Sequence, residues 1–356
     1  MTLVDPFHRT IDYLRVSITD RCNFRCVYCM PEEGSPISPK EELLSADEFV
    51  RIVRIAVDAG IRKVRLTGGE PLVRKDLVDI VRGIAALGVD DLSLTTNGYL
   101  LEGLAPALAL AGLTRINVSV DTLRPDRFKA IARRGESESV FSGIAAARAA
   151  GIGPIKVNCV AMKGVNDDEA ADFAAWTLRE EIHVRFIELM PIRWNLDDTA
   201  GFDSLSVHNG NGLIQLRQSQ GSMLSDVQMR RMFVSSADLR QAIETVHGPL
   251  SPAELPTNGP ARTYRLSGGL GTVGFISQIS SDLCEKCNRI RLTSDGFLRP
   301  CLMSDGELDL RTPMRTGASD EEISRLLHHV VDHKPERHYL AEGQKVTGRG
   351  MSQIGG

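Results

Sequence analysis

Lys63-Val64-Arg65-Leu66-Thr67-Gly68-Gly69-Glu70-Pro71 opens the unit from which the fold is read. A short strand-like run enters a Gly-Gly turn, an amphipathic helical pattern follows over residues 75–87, and Gly88 stands where a helix C-cap belongs. The same order recurs on both sides of it. Strand-like runs cover residues 13–19, 63–67, 91–96, 115–120, 155–162 and 183–190. Helical patterns separate them at 45–59, 75–87, 100–111, 126–132 with 139–150, and 167–180. Ser45 with Glu48 three residues on is a capping-box signature, and Gly60, Gly112 and Gly151 follow helices as Gly88 does. This alternation predicts an α/β fold with a parallel sheet, which the right-handed crossover rule curls into a partial (β/α)6 TIM-type barrel. Active sites of such barrels gather at the carboxyl ends of the strands.

Residues 194–230 break the rhythm with Asp197-Asp198, His208-Asn209-Gly210-Asn211-Gly212 and Gln218-Ser219-Gln220-Gly221, and read as a polar connector. A helix resumes at 235–246, strand-like runs follow at 261–266, 272–279, 290–292 and 297–302, and a last helix covers 320–331. The expected division is a barrel over 1–193, a polar insertion over 194–234, and a β-rich C-terminal region over 235–356 that ends in Gly355-Gly356. A length of 356 residues exceeds the usual size of one compact domain. With net charge −4 and a pI of about 6.1, a general nucleic-acid binder is not expected. No apolar run approaches the roughly 18 residues of a membrane span, and Met1 to Thr10 lacks a signal-peptide core. A cytoplasmic protein without membrane contact is the expectation. Its seven cysteines then read as metal ligands rather than disulfides.

Six of the seven fall into two triplets. Cys22, Cys26 and Cys29 are spaced C-x3-C-x2-C on one short loop, and a four-iron cluster held by three thiolates keeps one iron open to a substrate. A structural zinc site is the alternative, but such sites normally close with four ligands, and neither a His nor a fourth Cys follows within reach. Cys284-Glu285-Lys286-Cys287 with Cys301 again supplies three thiolates without an evident fourth. Cys159 reads as a small buried strand residue. Adjacent Gly68 and Gly69 let backbone approach a ligand and offer it their amides, and Glu70 offers a carboxylate to an amino group.

The cysteine loop with Tyr28 before its last Cys, followed by Gly68-Gly69-Glu70-Pro71 after the second strand, resembles the radical S-adenosylmethionine superfamily. Cys284-Glu285-Lys286-Cys287-Asn288-Arg289-Ile290-Arg291-Leu292-Thr293-Ser294-Asp295-Gly296, then Cys301, narrows the resemblance to the GTP 3′,8-cyclase family, which opens molybdenum cofactor biosynthesis. So do Leu14-Arg15-Val16-Ser17, Thr95-Thr96-Asn97-Gly98, Asn117-Val118-Ser119-Val120-Asp121, Lys156-Val157-Asn158, Arg185-Phe186-Ile187-Glu188-Leu189-Met190 and the terminal Gly355-Gly356.

The resemblance implies a lyase with two [4Fe-4S] clusters and S-adenosyl-L-methionine as cosubstrate. Cys22, Cys26 and Cys29 would hold the first cluster, and Cys284, Cys287 and Cys301 a second whose open iron binds the guanine of GTP. Tyr28, Gly69, Ser119 and Met190 would line S-adenosylmethionine. Arg15, Arg65, Thr96, Lys156, Arg289 and Arg291 would contact GTP, with Lys63 and Arg185 near the triphosphate. Arg15, Arg289, Arg291, Gly355 and Gly356 would serve catalysis, the two glycines as a tail reaching into the barrel. Flavodoxin or ferredoxin as electron donor, a downstream cyclic pyranopterin monophosphate synthase, and a homodimer are the partners it admits.

The residues read alone point the same way. Lys63, Arg65, Lys156 and Arg185 carry charge on strands that should be apolar, and each needs a partner when buried. A triphosphate would be one, and Arg forks suit its oxygens. Acidic side chains inside the barrel would be another. Arg289 and Arg291, two apart, share one face of a strand. Two rivals compete: a radical enzyme that modifies a peptide, which usually has more C-terminal cysteines, and an electron carrier or zinc-stabilised binding module, which leaves Gly68-Gly69-Glu70-Pro71 and the strand cations unexplained.

Overall fold

The structure is a computed structural model that describes residues 2–190, 192, 206–207, 214–215, 224, 226–255, 259–281, 283–339 and 349–355. Asp197, Asp198, most of the 194–225 connector and Gly356 therefore lie outside the described residues. The barrel alternates β1 (Tyr13–Ser17), α1 (Ala46–Asp58), β2 (Lys63–Thr67), α2 (Leu77–Ala85), β3 (Asp91–Thr96), α3 (Leu101–Leu110), β4 (Arg115–Ser119), α4 (Pro125–Ala132), α5 (Ser137–Ala149), β5 (Ile155–Ala161), α6 (Ala170–Arg179) and β6 (Ile182–Glu188). Consecutive strands from β1 to β6 are parallel neighbours. This is the expected partial barrel.

Local chemistry explains the elements. Ser45 Oγ accepts from the Glu48 amide at 3.2 Å while the Glu48 carboxylate accepts from the Ser45 amide at 2.7 Å, so the capping box starts α1. Along each strand the residues alternate. Leu14, Val16, Val64, Leu66, Ile116, Val118, Val157 and Val184 enter the core beneath the helices, and Cys159 on β5 is 1% exposed. The other face carries Arg15, Arg65, Asn117, Lys156 and Arg185, so the interior of the barrel is polar.

After β6 come β7 (Ser206–Val207), β8 (Ile214–Gln215), α7 (Asp226–Arg231), α8 (Ser236–His247), β9 (Ser251–Pro252), β10 (Arg262–Arg265), β11 (Thr272–Ile276), β12 (Arg289–Leu292), β13 (Phe297–Arg299), β14 (Leu308–Asp309), α9 (Arg311–Arg315), α10 (Asp320–Asp332) and α11 (Met351–Ile354). The C-terminal strands join the barrel sheet. β11 runs parallel to β6 and β12 runs parallel to β1, giving the order β14-β13-β12-β1-β2-β3-β4-β5-β6-β11-β10-β9. Arg15 thereby stands in register with Arg65 on one side and Arg291 on the other. Among the described residues no helix is long and apolar enough to cross a membrane.

Candidate active site

The loop between β1 and α1 brings Cys22, Cys26 and Cys29 to the carboxyl ends of the strands, where they line one cavity of about 180 Å³ with Tyr28, Gly69, Ser119 and Met190. All four residues expected at S-adenosylmethionine thus meet the first cysteine triplet. Two devices hold the loop. The Tyr28 hydroxyl donates to Asp121 Oδ2 at 2.7 Å, and Asp121 Oδ1 accepts from the Val160 amide at 2.9 Å. The Gly69 amide donates to the Thr19 carbonyl and the Glu70 amide to the Arg21 carbonyl, both at 2.7 Å. A Cβ on Gly69 would overlap the Arg21 carbonyl and stand 2.8 Å from the Asp20 oxygen. The close approach these glycines permit is therefore to the chain leading into Cys22, which corrects the expectation that the Gly69 amide is offered to a ligand.

Glu70 differs from expectation as well. It is 1% exposed and accepts from the Leu72 amide at 2.9 Å, the Thr96 hydroxyl at 2.7 Å and the Asn97 amide at 2.6 Å. Three of about four lone-pair sites are thus used within the protein, and burial pushes its carboxyl up to about 7. The Thr96 hydroxyl, which also accepts from the Gly98 amide at 3.0 Å, belongs to a residue that lines the cysteine cavity.

The chemistry of the donor set suits a cluster. The three cysteines are free thiols. Burial pushes Cys22 up to about 11, Cys29 up to about 12 and Cys26 well above its usual value. Metal loading must therefore displace protons there. Among the described residues no three Cys, His, Asp or Glu side chains converge on the position of a single metal ion. In a cluster each thiolate takes a different iron.

Cys284, Cys287 and Cys301 line a second cavity with Arg289, Arg291 and Lys334. Burial raises the Cys287 thiol, but the Arg289 guanidinium beside it, Lys334 and hydrogen bonds from Arg289 outweigh burial and bring it down to about 6. Lys334, 3% exposed, donates to the carbonyls of Arg289 at 2.8 Å and Pro300 at 2.6 Å, tying the start of β12 to the Cys301 turn. Arg9 donates to the carbonyls of Cys284 at 2.8 Å and Glu336 at 2.6 Å, so the N-terminus braces the same loop. The sequence reading missed Arg9, Lys334 and His338, which also lines this cavity. All three lie outside the β/α pattern and carry no local signal.

Between the two cavities runs the basic interior. Arg185 donates to Asn158 Oδ1 at 2.9 Å and Asn117 Oδ1 at 2.6 Å, and Arg65 donates to the Ser93 hydroxyl at 3.2 Å. Arg291 donates to the carbonyls of Gly355 at 2.6 Å and Ile354 at 3.3 Å. These partners are neutral. Among the described residues Lys63 pairs with Asp12 at 2.8 Å, and the buried Arg115 pairs with Asp91. Acidic neutralisation is thus seen for Lys63 and Arg115, while the partners described for Arg65 and Arg185 are neutral. Arg115 was missed, although charge on a buried strand marks it as it marks Arg65.

The electrostatic cost is visible. Burial first, then Arg185, Arg115 and Arg65, push Lys156 down to about 6. Burial and Arg65 push Arg185 down to about 9, burial and Arg289 do the same for Arg291, and burial with Arg291 and Arg65 holds Arg15 well below the usual range. A guanidinium keeps its proton in a protein, so relief must come from an anion. Gly355, with φ +68, stands against Ser17 and Thr67 at the ends of β1 and β2.

Comparison with known proteins agrees with this geometry. Residues 16–177 match the radical SAM superfamily, and residues 219–340 match Molybdenum Cofactor Synthesis C. A GTP 3′,8-cyclase of Heliobacterium modesticaldum is 48% identical over 99% of this chain and 100% of its own. One from Moorella thermoacetica is 45% identical over 99% of each. Among solved structures, Streptococcus suis SuiB bound to S-adenosylmethionine superposes with a TM-score of 0.53 at 15% identity, covering 85% of this chain and 64% of that longer one, a likeness of fold. Identity of this extent, along the whole length of enzymes so named, makes the chain a member of the GTP 3′,8-cyclase family within the radical SAM superfamily.

Proposed function

We propose that the chain is a GTP 3′,8-cyclase that converts GTP to (8S)-3′,8-cyclo-7,8-dihydroguanosine 5′-triphosphate, a lyase reaction at the first step of molybdenum cofactor biosynthesis. The observation that carries this is the cationic interior of the barrel. Arg15, Arg65, Lys156, Arg185 and Arg291 converge between two three-cysteine cavities, and burial and mutual repulsion act on most of them. A polyanion that binds there relieves that repulsion and orients its nucleoside toward the cavities.

Cys22, Cys26 and Cys29 would hold one [4Fe-4S] cluster and Cys284, Cys287 and Cys301 the other, with Tyr28, Gly69, Ser119 and Met190 lining S-adenosylmethionine. When bound, the clusters and S-adenosylmethionine supply the one-electron chemistry that joins C3′ to C8 of GTP. The residues do the rest. Arg15, Arg65, Lys156 and Arg185 hold the triphosphate, Arg289 and Arg291 fix the guanine end, and Gly355 and Gly356 serve catalysis. Lys63, bound to Asp12 at the rim, assists from a distance, and Thr96 acts by holding Glu70.

The functional division is a barrel over 1–193, a connector over 194–234 and a second-cluster region over 235–356. A flavodoxin or ferredoxin donates electrons, cyclic pyranopterin monophosphate synthase takes the product, and the enzyme works in the cytoplasm, as a homodimer where it assembles. Anaerobic incubation of the reconstituted protein with GTP, S-adenosylmethionine and a reductant tests the reading. The expected outcome is 5′-deoxyadenosine and the cyclic nucleotide in equal amounts, seen by mass spectrometry. Cleavage of S-adenosylmethionine with GTP left unchanged would refute it.

A further inference from the structure

We propose that Tyr13 is a further substrate-binding residue whose phenol donates a hydrogen bond to the outermost phosphate of the nucleoside triphosphate, so that this end of the barrel reads phosphate number. The inference rests on the reading of the interior as the triphosphate seat. Tyr13 opens β1, is 3% exposed, and stands in register with Arg289 on one side and Lys63 on the other. Among the described residues its hydroxyl has no hydrogen-bond partner. Buried hydroxyls are rarely left so.

The surroundings say what kind of partner is missing. The Arg65 guanidinium lies over the ring, its central carbon 5.4 Å from the centroid. The other charges that act on the phenol are those of Arg15, Arg115 and Arg289. Guanidinium groups donate and never accept. An O–H set among them has nothing to donate to. A phosphate supplies the acceptor and, in the same step, the negative charge that these cations share.

Space and position agree. Tyr13, Asn288, Arg289, Arg262, Lys286 and an exposed Glu285 are among the residues that line a cavity of about 330 Å³. Tyr13 lies four residues before Ser17, roughly 13 Å down the strand, and Ser17 abuts Gly355 at the other end. A nucleotide with its sugar at the tail passes its phosphates along Arg15 and Arg65 and ends at Tyr13.

Tyr13→Phe keeps the ring and its stacking and deletes only the O–H. The reconstituted enzyme and this variant are compared anaerobically for equilibrium binding of GTP, GDP and GMP, and for thermal stabilisation by inorganic triphosphate. The variant should lose roughly tenfold or more in GTP affinity, lose nothing for GMP, respond less to inorganic triphosphate, and melt no lower without ligand. Equal GTP affinity in the two proteins, or an equal loss for GTP and GMP, overturns the role of Tyr13. If the wild-type protein instead binds GTP no better than guanosine, the triphosphate seat itself is refuted, and the inference falls with it.

Discussion

Replacing Gly355 with Ala should uncouple the tail from the barrel without unfolding the protein. Gly355 has φ +68, a region where an L side chain costs about 1–2 kcal/mol. Its new Cβ would overlap the Thr67 methyl and stand 3.4 Å from Ser17 Cβ. Overpacking of that kind costs typically 1–3 kcal/mol, so the total is about 2–5 kcal/mol. Against it stands what docks the tail: the Arg291 hydrogen bond to the Gly355 carbonyl at 2.6 Å and the burial of Ile354, 1% exposed. Those terms are worth about 1.5–3 kcal/mol each. The two sums are of the same size: the lower penalty cuts the docking equilibrium constant roughly 30-fold and the upper one several-thousand-fold, so toward the upper end most of the tail leaves its seat. Single-turnover formation of the cyclic nucleotide should fall with the docked fraction, while the iron content and the melting temperature stay near wild type. Thr67→Ser removes the overlapping methyl and should restore part of the rate in the double variant. Full-rate turnover by Gly355→Ala, or no rescue by Thr67→Ser, would refute the seat of the tail.

Lys156, pushed down to about 6 by burial and by Arg185, Arg115 and Arg65, should make triphosphate binding depend on pH. Its depressed folded value means that the ligand-free protein gains stability as pH rises from about 6 toward the unfolded value, because over that range the unfolded chain still binds a proton that the folded lysine has given up. An anion draws the proton back, so GTP affinity should fall by up to about tenfold per pH unit above 6. A Lys156→Met variant, binding more weakly throughout, should lose that slope; an unchanged slope sinks the assignment. Arg65→Met should weaken GTP binding far more than Lys63→Met, because Lys63 is already paired with Asp12 and about a quarter exposed, with 24% of its side chain accessible; equal losses by calorimetry would contradict the layered interior. Ala at Cys22, Cys26 or Cys29 should abolish cleavage of S-adenosylmethionine, whereas Ala at Cys284, Cys287 or Cys301 should leave uncoupled cleavage without cyclisation. Cyclic product from Cys284→Ala would remove the guanine-binding role from the second triplet.

The barrel was legible because its strands advertise both faces. On β2, Val64 and Leu66 go to the core while Lys63 and Arg65 do not, and the Gly-Gly turn fixes the end, so the expected bounds at 63–67 are the observed ones. What the C-terminal strands pair with was not legible. The runs 272–279 and 290–292 read as strands of a β-rich C-terminal region, yet β11 pairs with β6 and β12 with β1, because a parallel partner is chosen by contacts far away in sequence. The same limit explains the site. Arg65 and Lys63 carry one signal, charge on a buried strand, and only their depth separates the pair: Lys63 meets Asp12 at the rim, while Arg65 meets a hydroxyl. Thr96 and Glu70 are visibly polar at strand ends, but that each answers the other is a fact of the folded turn. Tyr13 shows the limit from the other side. A tyrosine opening a strand looks like packing, and only the company of Arg65, Arg15, Arg115 and Arg289 turns its buried hydroxyl into a question. The pairing of β12 with β1 supplies part of that company by setting Arg291 against Arg15 and Arg289 against Tyr13. The C-terminal region thus completes the charge of the barrel that the N-terminal half begins, and an anion that enters the interior meets cations from both.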